Sequence, residues 1–128
     1  MLPLVMVFVP LRSCKTSKRK IEAYIPRAIE AIESLEIANR DGEVAKQFNG
    51  YIASFGASVR QAGLLATVLF YENENSNAEK GREKIVYAIE KMIGYRIVND
   101  NQVDKGTRAD VENAAIALKL AIRTYKLV

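Results

Sequence analysis

The sequence predicts an all-α fold, a single-domain bundle of about five helices behind a non-helical N-terminal arm. Three observations predict it. Beyond the arm, apolar side chains recur at four- and three-residue intervals, the spacing of one helix face. Only three prolines occur in 128 residues, and Pro3 and Pro10 both lie in the arm. The stretch Ala62 to Tyr71 (AGLLATVLFY) carries no charge, as expected of a helix enclosed by others. Residues 1–15 form the arm, apolar and then basic. Residues 16–128 form the bundle, long enough to bury a core without disulfide or metal staples.

The arm opens with MLPLVMVFVPL, an uncharged run about half as long as a bilayer-spanning helix needs. Arg12, Lys15, Lys18, Arg19 and Lys20 follow the apolar run rather than precede it. No small-residue cleavage site is present, so the order is not that of a secretory signal. Val5, Val7 and Val9 alternate like a short extended segment. The arm reads as a docking segment, with a frayed tail or an over-extended start as the alternatives. A cytoplasmic address and no membrane partner are expected.

Ile21, Ile25, Ala28, Ile32 and Leu35 place a first helix at about Ser17 to Asn39, with Pro26 kinking it or marking its true first turn. Arg40-Asp41-Gly42 supplies a turn. A second helix points Val44, Phe48, Tyr51, Ile52 and Phe55 inward, and Gly56 is expected to separate it from a third. That third helix, holding the charge-free stretch, is expected to be central, with Gly63 admitting a neighbouring backbone. After the polar segment 72–77, Ser76 and Glu79 read as a capping box for a fourth helix burying Ile85, Ile89, Met92 and Ile93. It ends near Gly94 to Ile97. Residues 99–106 form the last loop. Thr107, with Asp110 reaching back, caps a fifth helix whose inward row is Val111, Ala114, Leu118, Ile122 and Tyr125.

Composition narrows the chemistry. With no histidine and only Cys14, the chain has no His-based nucleophile pair, His-ligated metal, disulfide framework or CxxC redox pair. Cys14 has a basic flank but no evident base, and reads as a bystander thiol. The loop from Asp100 fails the EF-hand pattern, because its sixth residue is Lys105 and its twelfth Val111. Gly56 and Gly63 lack the Gly-Lys-Ser/Thr ending of a phosphate loop. Glu22, Glu30, Glu33 and Glu36 alternate with Lys20 and Arg27 as a solvated face rather than an opposed catalytic pair. No cofactor, metal or catalytic set is expected.

Nineteen Lys plus Arg against fifteen Asp plus Glu give a net charge of +4, a weak lean toward a polyanionic partner. Placement says more than the total. Lys80, Lys84, Tyr87 and Lys91 fall in one row on the fourth helix, opposite its apolar side. Lys119, Arg123 and Lys126 form a row on the fifth helix, with Arg108 behind it and Glu112 interrupting. Lys18, Arg19 and Lys20 cluster at the start of the first helix, where Lys20, Tyr24 and Arg27 share a side. Exposed basic residues commonly serve solubility alone. Single-sign rows, two of them with a tyrosine interleaved, suit sequence-independent contact with a phosphate backbone.

The segment Gln47 to Gly56 (QFNGYIASFG), leading into Ala57 to Phe70 (ASVRQAGLLATVLF), resembles the small helical subunit of the type III-B CRISPR effector, the Cmr complex. Gln61, Gly63 and Leu64 match that family's Gln-x-Gly-Leu, and the apolar run to Phe70 follows. The resemblance extends more loosely from about Lys18 to Tyr125. Gly56 stands where the family often has proline, Ala62 replaces a commonly polar residue, and the arm is extra. The resemblance implies a non-catalytic subunit acting in antiviral defence. It would stack with copies of itself and other effector subunits along the guide RNA–target filament or a displaced single strand, with the basic rows as the contact. The type III-A small subunit has a similar build and is a related possibility. From the residues alone, a helical protein–protein adaptor or homo-oligomeric scaffold without nucleic-acid binding is the alternative. An enzyme working through carboxylates is a third class, and no convergent acidic cluster supports it.

Overall fold

In the computed structural model, which describes residues 18–73 and 81–128, the first apolar row folds as α1 (Lys18–Ser34). The arm with Cys14, the Ser76–Glu79 capping box and Lys80 lie outside the described residues. Pro26 sits in the middle of α1 rather than in its first turn, and the helix continues past it. Ala28, Ala31 and Ile32 are its buried positions.

Helix α1 stops five residues before the expected Asn39, and the backbone says why. Glu36 adopts a left-handed φ of 58°. The Ile37 amide then donates to the Ile32 carbonyl at 2.9 Å, and the Glu36 amide to that of Glu33 at 3.2 Å. These two bonds form a Schellman stop, with the buried Ile37 as its apolar lock. The turn at Arg40-Asp41-Gly42 is where the sequence places it. Asn39 Oδ1 accepts from the amides of Asp41 and Glu43, each at 2.9 Å.

The chain next forms β1 (Glu43–Val44), which pairs in parallel with β2 (Lys126–Leu127) near the C-terminus. The Val128 amide donates to Val44 O at 3.0 Å, and the Lys46 amide to Val128 O at 2.9 Å. No periodicity announces strands of two residues each. The bundle is otherwise all-α, as expected.

Helix α2 (Lys46–Ala62) runs straight through Gly56. Its break comes at Gly63, with φ +93°, after which α3 (Leu64–Glu72) begins. Gly63 is thus the hinge between two helices and not a residue inside one. A Cβ there would touch nothing among the described residues within 4 Å, so the glycine serves the backbone angle rather than a close helix approach. Thr67 Oγ1 donates to Gly63 O at 2.8 Å and lies 2.7 Å from Ser58 Oγ, tying the elbow across its inner side.

The charge-free helix is not central. On α3, Leu64, Thr67, Val68 and Tyr71 are buried, while Leu69 and Phe70 stand 43% and 48% exposed. The central element is α5 (Thr107–Ile122), which packs on α1, α2 and α4 (Arg82–Ile93). Val111, Ala114, Ala117, Leu118, Ala121 and Ile122 are sealed, and small alanines let three helices approach one axis. Tyr125 lies beyond the helix and is half-buried.

Helix α4 buries Ile85, Val86, Ala88, Ile89 and Met92, while Ile93 is half-buried. It ends on Gly94 in the left-handed conformation. In the last loop, Asn99 and Gln102 exchange both backbone hydrogen bonds at 2.9 Å across left-handed Asp100 and Asn101, a type I′ turn. Gly106 takes the N-cap position of α5, and Thr107 is its first helical residue, buried and making no capping bond. Asp110 instead accepts from the Tyr95 hydroxyl. The expected Thr107–Asp110 cap is therefore not formed, and the N-cap position falls one residue earlier, on a glycine that has no side chain to offer.

Candidate nucleic-acid interface

The three basic groups occupy different parts of the bundle. Lys18, Arg19 and Lys20 are exposed on the first turn of α1. Lys20, Tyr24 and Arg27 follow one side of α1 and, with Asp110 of α5, line a shallow hollow of about 300 Å³. The Arg27 guanidinium lies 6.0 Å from the centre of the Tyr24 ring. Its Nη1 donates to Met92 O at 3.0 Å, which joins α1 to the last turn of α4. The positive group at that helix C-terminus complements its unsatisfied carbonyls. Arg27 therefore has a structural bond in addition to its charge. The Tyr24 hydroxyl is held above its ordinary pKa by burial and by the Asp110 charge, against the pull of Arg27.

On α4, Lys84, Tyr87 and Lys91 keep the expected row, with Lys91 exposed, Tyr87 44% exposed and Lys84 half-buried. Glu83 and Glu90 leave that row. Glu83 Oε1 faces the Gly81 amide, and Glu90 Oε2 accepts from the Ile97 amide at 3.0 Å. Because Arg27 binds the carbonyl of Met92, it meets α4 one residue from Lys91. The α1 group thus reaches the end of α4 that carries Lys91.

The fifth-helix group is separate. Lys119 is nine residues beyond Asp110, about two and a half turns, and so lies on the opposite side of α5. It lines an apolar groove of about 140 Å³ between α2 and α5, together with Arg60 and Glu112. Arg108 pairs with Glu112 at 3.7 Å, so the interrupting acid neutralises the residue at the back of this row. Arg123 is exposed at the helix end, and Lys126 is exposed on β2, not on the helix. The sequence rows therefore build two basic surfaces rather than one.

Arg60 escapes a reading by rows because the other basic residue of α2, Lys46, lies at the far end of the helix. Only the packing of α2 against α5 brings it beside Lys119. Arg82 is a second cation off every row. Its guanidinium lies 5.6 Å from the Tyr51 ring centre and 5.3 Å from that of Phe70.

Among the described residues, no group of three or more Cys, Asp or Glu side chains is placed to hold a metal ion. No described helix is long and apolar enough to cross a membrane. Residues 22–123, from the first turns of α1 to the end of α5, match the family model described as CRISPR-associated protein (Cas_Cmr5). No curated protein and no solved structure matches the chain.

Proposed function

The chain belongs to the Cas_Cmr5 family of CRISPR-associated proteins, small subunits of the type III-B effector, and from that premise we propose that it is a non-catalytic subunit contacting RNA backbone in antiviral defence. In this reading it stacks beside copies of itself and other effector subunits along the guide RNA–target filament, in the cytoplasm. The observation that carries it is the line Lys84, Tyr87 and Lys91 on the solvent side of α4, extended across the helix boundary by Arg27. Charges in such a line follow a phosphate backbone without reading bases. Lys18, Arg19 and Lys20 prolong the same region. Lys119, Arg123 and Arg60 form a second surface, suited to another stretch of strand or to an acidic neighbour. Leu120 of α5, 47% exposed, offers apolar area for protein contact.

The test is the triple variant K84E/K91E/R123E against wild type, with single-stranded RNA and with the assembled effector. The variant is expected to unfold at the wild-type urea midpoint. Its RNA affinity falls, and the dependence of log K on log salt becomes shallower by about one for each phosphate no longer neutralised. Unchanged affinity and slope, for both RNA and the complex, refute the reading.

A further inference from the structure

A cleft of about 490 Å³ opens between α2 and the α3–α4 pair, with none of the described residues of the basic rows in its lining. Its floor is aromatic. Tyr51 and Tyr71 are buried, and the Tyr71 hydroxyl donates to Tyr51 O at 2.8 Å, so its ring is held in place. Phe55 packs edge-on to Tyr71, with centroids 5.3 Å apart, from the core side. Phe70 stands at the rim, 48% exposed, with its ring 6.1 Å from that of Tyr71. Arg82 spans the opening above both Tyr51 and Phe70.

Gln47 and Ser54, both exposed, present an amide and a hydroxyl along the α2 side. Between them, Gly50 leaves the approach open, since a Cβ there would meet nothing described within 4 Å. None of the described residues lining the cleft is acidic. A rigid aromatic platform, one exposed ring, a cation beside it and neutral donors and acceptors suit a flat ligand that also carries negative charge. A peptide side chain supplies the flat ring or the anion, and a nucleotide supplies both together.

We infer that this cleft takes one unpaired nucleobase of single-stranded RNA, stacked on Phe70, with its flanking phosphate at Arg82. The inference rests on the reading of the chain as an RNA-contacting subunit, and adds a base contact to contacts otherwise made with the backbone. It predicts that RNA is held through its unpaired positions as well as by its charge.

The experiment uses the full chain and a single-stranded oligouridylate carrying 2-aminopurine, whose fluorescence is quenched when the base stacks on an aromatic ring. Wild type is expected to quench the probe, and Phe70→Tyr to behave alike. Phe70→Ala removes an exposed ring, is expected to keep the wild-type urea midpoint, and loses the quenching. Its affinity falls roughly 5- to 150-fold, the effect of removing one stacking partner, with the salt slope unchanged. The K84E/K91E/R123E protein, at saturating concentration, still quenches.

Wild-type affinity and full quenching in Phe70→Ala overturn the inference. So does wild type that binds the oligonucleotide without quenching, which leaves the backbone reading standing. Wild type that binds no RNA overturns both. A Phe70→Ala protein that keeps its RNA affinity but no longer joins the effector marks the cleft as a protein contact instead.

Discussion

Single side chains in this protein often hold two duties, and Tyr71 is the plainest case. Its ring floors the cleft, and its hydroxyl donates to Tyr51 O inside the core. Burial pushes its phenol from 10.0 up to about 12, against the pull of Arg82. Because the folded value exceeds the unfolded one, the neutral phenol's contribution is complete below pH 10. It is lost as the pH rises through about 12. Urea unfolding at a series of pH values is expected to show the wild-type midpoint falling over that alkaline window, with a smaller fall in Tyr71→Phe. At pH 7 the same variant is less stable by about 0.5–1.5 kcal/mol, the net value of one hydrogen bond. Arg27 combines duties in the same way. Its charge is legible in the sequence, whereas its bond to Met92 O depends on where α4 ends.

At the scale of elements, apolar spacing located all five helices but not all their ends. Ends depend on single backbone angles that a period does not encode. Glu36 stops α1 in a left-handed conformation that an ordinary glutamate does not advertise. Gly56 and Gly63 look equally able to break a helix, yet only Gly63 has positive φ. The consequence is opposite in sign at the two positions. Gly56→Ala should raise stability by about 0.5–1 kcal/mol, since the residue is helical and the new methyl would lie 3.7 Å from the Arg60 guanidinium. Gly63→Ala should lower it by about 1–3 kcal/mol through forced φ. Urea midpoints of the two variants, measured side by side, check both. The Gln61, Gly63 and Leu64 of the family resemblance fall on this hinge, so the motif describes the joint between α2 and α3.

Across the whole molecule, centrality follows from how much of a helix its neighbours cover rather than from its own polarity. The charge-free stretch looks innermost, but α3 is a short helix with one buried side. The alanine-rich α5, which carries several charges, buries more residues than any other described helix, covered by α1, α2 and α4. Leu118→Ala on α5 is therefore expected to cost about 2–5 kcal/mol, and Leu69→Ala on α3 about 0.5 kcal/mol or less. Thermal or urea unfolding separates these outcomes directly. The basic rows obey the same logic. Each row is visible along its own helix, because helical spacing is local. The side of the bundle that each faces is not, because it depends on how α5 turns between α1 and α2.

The sequence by itself determined the all-α class, the five helices, many of the buried positions and the limits on chemistry set by absent histidines and a lone cysteine. Those follow from composition and from periods of a few residues. Only the tertiary structure decided that α5 is the axis, that the basic residues form two surfaces, that β1 meets β2, and that Arg82 closes a cleft over Tyr51 and Phe70. Each of these joins residues distant in the chain. Their meeting is governed by packing several helices at once, and no local pattern records that.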